Sequence, residues 1–491
     1  MLRNFIISIA FLSFFAPLTL LAQWNDAAKM NEGKEPARTQ FISYDRRDDA
    51  STYDPAKSPF FRSLNGEWRF LIVNDPSNID DSFYMLSGMA GEPMAVPGYW
   101  AEVSSGDYEG IKPPKLPVNN AVGQYRLYVD IPVGWLDRDI FIRLDGIKSG
   151  AALYVNGKYV GYSENSSVPA EFNISKYVTD GRNYLGLEIY KYTTGTWLES
   201  GTMTGSGIES GVYLYSQPKV HIQDFIIKAE LDSIGKTGLL TLDVIVANNF
   251  NVDNQAEIWY DLMDAKGDII RYNSRPVTVE GKGGVDTVRF EAKVPNVKAW
   301  SAETPNLYQV MLRTRYNGRF TEYIPFKVGF KTVKTVADGA FSVNGKPVTV
   351  RAADINEKGL APDEKAMREH LRRLKQDGVN SLKLITHPSR AAFLQLCDEL
   401  GFYVLDYVNI DASLSGTSMS EGGSLGNNPA WVQNYIDRAQ ENYSAERNYA
   451  SVTGWALNES AGPEGAYNIY RLQKYMRETD PGRSFGRIVF R

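Results

Sequence analysis

The residues best suited to chemistry are acids and amides at the ends of short apolar runs. Asn458-Glu459 directly follows SVTGWAL (Ser451–Leu457). Asp354 closes VTVRAAD, with Glu357 just beyond; His387 follows NSLKLI; Asp406 and Asp411 flank the end of FYVLDYVNI. Singly each is a weak signal, because a polar residue at such a place more often caps a helix or solvates a turn. Asn458-Glu459 is the best of them. A carboxylic acid held there can protonate a glycosidic oxygen, and a neighbouring amide can bind a sugar hydroxyl. A retaining glycosidase also needs a second carboxylate about 5–5.5 Å from the first, and spacing alone does not say which residue supplies it. Other chemistries are closed. Three histidines (His221, His370, His387) and one cysteine (Cys397) cannot build a zinc site of the usual Cys/His kind, and one thiol forms no disulfide within the chain. Cys397 lies in the apolar stretch FLQLCDELGF and reads as core packing.

These residues need a scaffold, and the pattern after Ala340 provides one. Strand-like runs alternate with helices: one from about Asp363 with Met367, Leu371 and Leu374 on one face, AAFLQLCDEL, Trp431–Glu446, and a last one from about Gly465. Such alternation implies a parallel sheet with right-handed crossovers. A closed (β/α) barrel takes about 250 residues. Residues 340–491 leave room for about four units and one further strand, IVF (Ile488–Phe490). The expectation is therefore an incomplete TIM-type barrel with exposed parallel edges, closed by a homo-oligomeric copy or another partner.

Upstream lie two series of short alternating runs. YRLYVDIPV, FIRLDG, AALYVNGKYVGYS and NYLGLEIYKY, with a tight Asn156-Gly157 turn, fit a jelly roll. FIIKAEL, LLTLDVIVAN, AEIWYDLMD, DTVRFEAKV and LYQVMLRTRY fit an immunoglobulin-like sandwich, with GKGG near Lys282 as a loop. The expected organisation is multidomain: signal peptide 1–22, jelly roll 23–217, sandwich 218–334, partial barrel 335–491. The opening MLRNFIISIAFLSFFAPLTLLA carries one early Arg, an apolar run and a small residue at Ala22, the pattern of a cleaved export signal. The chain then reads as exported, periplasmic or secreted in a bacterium. No later run of 18 apolar residues follows, so no membrane span is expected after cleavage. A net charge of −5 argues against a nucleic-acid partner.

Several longer strings resemble the bacterial β-galactosidases of glycoside hydrolase family 2. They are FFRSLNGEWRF (Phe60–Phe70), VPGYW (Val96–Trp100), YVNGKYVGYSENSSVPAEFNIS (Tyr154–Ser175), WSAETPNLY (Trp300–Tyr308), FSVNGKPVTVR (Phe341–Arg351), LCDELGFYVLD (Leu396–Asp406) and RNYASVTGWALNES (Arg447–Ser460). The resemblance implies a sugar-binding jelly roll, a sandwich and a TIM barrel, acting on a β-linked oligosaccharide or glycoside in carbohydrate metabolism. It implies Glu459 as general acid/base, Asn458 as a substrate-binding amide, and sugar contacts from His387 and Asp406. It also implies magnesium held by Asp411 and Glu459 with a third ligand.

The departures from that family pattern concentrate at the site. The third magnesium ligand, a histidine in the family, is Ser413 here, which weakens the site. A His-Glu-His cluster is replaced by Asn356-Glu357-Lys358, and the segment that carries another family histidine reads KLITHP (Lys383–Pro388). The glycine the family places between Leu457 and Asn458 is missing, and the acidic run after TWLES is replaced by Gly201–Gly205. No position of the chain receives the family's nucleophilic glutamate. The expectation is a β-galactosidase-like protein without turnover as this isolated chain, the alternative being a non-catalytic carbohydrate-binding or scaffold pseudoenzyme, or a truncated gene product.

Overall fold

The computed structural model describes residues 23–79, 83, 91–202, 205–335, 341–416 and 424–486. The export signal at 1–22, Met203-Thr204 of the replaced loop and the IVF run at 488–490 lie outside the described residues.

The first unit is a pair of antiparallel sheets. One runs in the order Asn31–Glu32, Lys158–Ser163, Gly150–Val155, Gly181–Tyr190, Val122–Ile131, Gly66–Val73, Glu92–Val96. The other runs Ala170–Asn173, Asp139–Lys148, Gly205–Gln217, Phe61–Ser63, with Gly98–Glu102 also paired to Gly205–Gln217. Their facing side chains, Trp68, Tyr125, Ile142, Leu153, Phe172, Leu187 and Leu214 among them, form one core. Asn156 and Gly157 both adopt positive φ, 51° and 74°, as a two-residue hairpin between right-twisted strands requires.

The second unit stacks Val220–Leu231, Thr237–Asn248 and Gly284–Pro295 against Ile269–Val279, Asn254–Met263, Tyr308–Tyr316 and Arg319–Val328. This is the sandwich expected from the sequence, with two strands, Ile269–Val279 and Arg319–Val328, that the alternation did not reveal.

The third unit is a five-stranded parallel sheet: β1 (Ala352–Asn356), β2 (Ser381–Thr386), β3 (Tyr403–Tyr407), β4 (Val452–Ala456) and β5 (Ser484–Gly486). Helices α1 (Glu364–Gln376), α2 (Arg390–Leu400), α3 (Val432–Glu446) and α4 (Tyr467–Thr479) alternate with them. The α1 helix starts where expected, Asp363 capping it by accepting from the Ala366 N–H at 2.7 Å. Met367 and Leu371 are its buried stripe, and Cys397 of α2 is fully buried in the same core. The fifth described strand is Ser484–Gly486, reached directly after Asp480-Pro481-Gly482 ends α4. Among the described residues β1 and β5 each pair on one side only.

The three units are not beads on a string. A single apolar cluster runs from the sandwich (Phe225, Phe326) into the barrel segment (Leu394, Tyr449). Trp300 Nε1 donates to the Asp398 carbonyl at 3.0 Å, and the Tyr403 hydroxyl donates to Glu303 at 3.0 Å. Residues before Phe61 cross all three units: Tyr44 bridges Tyr323, Thr39 donates to the Phe225 carbonyl, and Lys34 pairs with Glu441 at 2.5 Å. Among the described residues no helix is long and apolar enough to cross a membrane.

Candidate active site

In a parallel β/α sheet the side chains available for chemistry gather at the C-terminal ends of the strands. At the end of β4, Asn458 precedes a single helical turn, Glu459–Ala461, which leaves Glu459 exposed. The turn is held from two sides. The Tyr435 hydroxyl of α3 donates to the Ala461 carbonyl at 2.6 Å, and the Ala412 N–H donates to the Ser460 carbonyl at 2.9 Å. Tyr407, the last residue of β3, stands beside it. Burial raises the Tyr407 phenol, and the carboxylates of Asp354 and Glu459 raise it further, so β1, β3 and β4 converge on one polar face. Beneath Tyr407 the same sheet face is apolar, with Leu405, Ala456 and Ile385 packed together.

The other expected residues are placed differently. Asp406 does not face this opening. It is fully buried between the sheet and the helices, paired with Arg390 and accepting from Asn442 Nδ2 at 3.2 Å. Arg390 also pairs with Glu446 at 2.8 Å. Burial pushes the Asp406 carboxyl well above its ordinary value, Arg390 working against it. The sugar contact expected of Asp406 does not fit this geometry: alternate residues of a strand face opposite ways, and Asp406 takes the helix side.

His387 is likewise closed to solvent. Its ring lies 4.5 Å from that of Phe393, its Nδ1 accepts from the Ser389 N–H at 2.9 Å, and its Nε2 sits 3.3 Å from Glu357 Oε2. Burial lowers the imidazole, while the close approach of His387 holds the Glu357 carboxyl below its ordinary range. His370 reaches the other Glu357 oxygen at 3.6 Å. His387 therefore anchors Glu357 rather than presenting a nitrogen to a sugar. Asp354 pairs with Lys383 at 3.3 Å.

Asp411 is tied into its own loop, its Oδ1 accepting from the Ser413 N–H at 3.0 Å. Among the described residues no three His, Cys, Asp or Glu side chains are grouped to hold a metal ion. Asp411 and Glu459, with Ser413 in the third position, would offer magnesium two carboxylates at most, the remaining positions falling to water.

Sequence reasoning missed the groups that fix the jelly roll on this face. Glu199 accepts from Arg438 Nη1 at 2.7 Å, from Asn409 Nδ2 at 3.0 Å, and from the Ser166 hydroxyl and N–H at 2.6 and 3.0 Å. Glu199 and Arg438 are both buried. Next to them Glu199 and Asp411 form a bridge of parallel strand type, with Asp411 N–H donating to Leu198 O at 2.7 Å and Ser200 N–H to Asp411 O at 3.0 Å. The signal was Arg438 on the buried face of α3 with Tyr435 and Ala439, since a guanidinium there demands a partner. Gly201 completes the seam, because a Cβ there would collide with the Asp411 carboxylate.

With this geometry in place, the comparisons with known proteins become informative. Residues 61–218 match the sugar binding domain of glycosyl hydrolases family 2, residues 220–331 the domain described simply as glycosyl hydrolases family 2, and residues 334–486 that family's TIM barrel domain. The chain is similar to the β-galactosidase of Priestia megaterium, 29% identical over 94% of this chain and 47% of the relative. It is also similar to that of Streptococcus thermophilus, 30% identical over 85% of this chain and 42% of the relative. The chain thus spans about half the length of the curated relatives it matches. Among solved structures, a Bacteroides uniformis β-glucuronidase superposes with a TM-score of 0.71 at 20% identity, covering 87% of this chain and 52% of that one. A β-glycosidase from Bacteroides vulgatus gives 0.67 at 18%, covering 87% and 54%. At those identities the likeness is one of fold. Three consecutive domain matches in the family's own order, and β-galactosidase relatives along nearly the whole chain, lead to one conclusion: the chain belongs to glycoside hydrolase family 2.

Proposed function

We propose that the strand-end face carrying Asn458 and Glu459 recognises a β-linked glycoside, with Glu459 as the acid/base group and Asn458 as the sugar contact. We further propose that the 491-residue chain by itself holds such a glycoside without turning it over. The observation that carries the reading is the placement of Glu459: exposed, on a braced turn at the end of β4, its carboxylate acting on the Tyr407 phenol. That is where a carboxyl can reach a leaving-group oxygen.

Double displacement needs a second carboxylate to form the glycosyl-enzyme. The described candidates are committed elsewhere: Asp406 to Arg390, Glu357 to two histidines, Asp354 to Lys383. The choice of a β-galactoside over a β-glucuronide follows the relatives that match along the chain, since the glucuronidase likeness is one of fold.

The test is hydrolysis of an aryl β-galactoside and an aryl β-glucuronide by the chain and its Glu459→Gln variant. Equal background rates are expected. Turnover that the substitution abolishes would show that another carboxylate has taken the second role. Export with cleavage after Ala22 belongs to the same proposal; mass spectrometry of the exported protein is expected to find Gln23 at its N-terminus, and an intact Met1 would contradict it.

A further inference from the structure

Away from the strand ends, the N-terminal segment, the jelly roll, the sandwich and helices α1 and α2 meet around a cavity of about 610 Å³. No residue of the strand-end face lines it. Its volume lies within the range of small-molecule sites, about 300–1,000 Å³. Six aromatic side chains wall it: Phe41, Tyr44, Tyr53, Tyr213, Phe326 and Tyr449.

The charged residues around it are already satisfied. Lys327 pairs with Glu399 at 2.8 Å, Arg368 with Glu399 and Glu364 at 2.9 and 2.8 Å, and Arg143 with Asp145 at 2.6 Å. Asp398 accepts the N–H groups of Ala450 and Ser451 at 3.0 and 2.6 Å. Two groups are not satisfied. The Tyr449 and Tyr53 hydroxyls are closed to solvent and have no hydrogen-bond partner among the described residues. Buried polar groups are nearly always paired, so an orphan that lines a cavity points to something that enters it.

This lining selects a chemistry. A purely apolar ligand would leave the Tyr449 hydroxyl unpaired. An anion would meet Asp54, Glu364, Asp398 and Glu399 with no cation left uncommitted. A neutral ring bearing hydroxyls satisfies both demands, laying its C–H face on the aromatics, donating to the carboxylate oxygens, and donating to or accepting from the Tyr449 hydroxyl. We propose that the three-unit junction is a second binding site, which takes a neutral polyhydroxylated ligand of one or two pyranose rings. Because its walls come from every unit of the chain, occupancy also fastens the units together.

The experiment uses the full chain carrying Asn458→Ala and Glu459→Gln, so that the strand-end face is out of play and its failure is separable from failure here. D-glucose, D-galactose and maltose, with D-glucuronate as the anionic control, are titrated by calorimetry and followed by thermal shift. Saturable binding of at least one neutral sugar and a raised melting temperature are expected. Tyr449→Phe, which keeps the ring, should weaken it by about fivefold or more. Ala392→Trp, which fills the cavity, should abolish it. If the larger substitution does not fold, as circular dichroism would show, Tyr449→Phe decides alone. No saturable binding of any neutral sugar at about 50 mM, a value far weaker than ordinary ligand affinities, would overturn the proposal. So would tighter binding of glucuronate, or binding that Tyr449→Phe leaves unchanged.

Discussion

Asp406 shows how a residue can be read correctly by position and wrongly by direction. Its place at the end of β3 was visible in FYVLDYVNI, but the side it faces was not. Every residue of β3 is buried, so the strand carries no apolar–polar alternation from which the facing of Asp406 could be read. The structure makes Asp406 one of two buried carboxylates neutralised by Arg390. Replacing Arg390 with Met should then cost about 3–5 kcal/mol, because it leaves two charges buried and unpaired; urea denaturation measures it. Asp406→Asn should lower stability and leave glycoside binding intact. Loss of binding at unchanged stability would restore the sugar-contact role. Glu164 adds a test of pH. Buried, and accepting from the Tyr162 and Thr194 hydroxyls at 2.6 and 2.9 Å, its carboxyl is pushed up to about 8 by burial. An acid whose pKa is raised on folding binds more protons folded than unfolded. Stability must therefore fall as pH rises from the ordinary value of 4.5 to about 8 and flatten above it. One such proton contributes a slope of at most about 1.4 kcal/mol per pH unit. Melting curves of Glu164→Gln between pH 5 and 8 should be flatter than those of the parent, and an unchanged slope would contradict the assignment.

Elements were legible where the signal was local and lost where it depended on the neighbours. The Asn156-Gly157 hairpin and the capped stripe of α1 follow from a few adjacent residues. The two unread sandwich strands, Ile269–Val279 and Arg319–Val328, are the edges of their sheet and carry Pro276 and Pro325. Exposure removes the apolar–polar alternation of Ile269–Val279, and in Arg319–Val328 it is masked by the buried Glu322 and by Pro325. The seam between jelly roll and barrel was half legible: Arg438 on the buried face of α3 demands a partner, but that the partner is Glu199 shows only in the fold. Breaking it with Arg438→Met leaves the buried Glu199 charge without its cation, so a loss of about 3–5 kcal/mol is expected, together with faster hydrogen exchange across Asn409–Ser413. A surface pair would instead cost under about 1 kcal/mol and respond to salt; that outcome would show that the units are joined by other contacts.

At the scale of the molecule, the sandwich and the barrel segment share one apolar core, so the third unit is anchored even though, among the described residues, β1 and β5 each have one neighbour. The sequence pointed to a partner closing the exposed edges, because the strand count of the barrel segment was legible and its packing against the sandwich was not. Exposed parallel edges still favour a covering partner. A second copy in that role predicts concentration-dependent association in sedimentation velocity, with protease resistance of residues 341–486 falling on dilution. A monomer equally resistant at every concentration would show that the shared core suffices. The claim on which the functional reading rests is that Asn458 and Glu459 form a glycoside-recognising face, and binding of a non-hydrolysable alkyl β-thiogalactoside to the full chain tests it most directly. Titration calorimetry on the parent, on Tyr449→Phe and on Asn458→Ala should give saturable binding to the first two and at least about tenfold weaker binding to the third, as the loss of a well-made polar contact implies. Equal affinity in the parent and Asn458→Ala, or no binding to either, would contradict it.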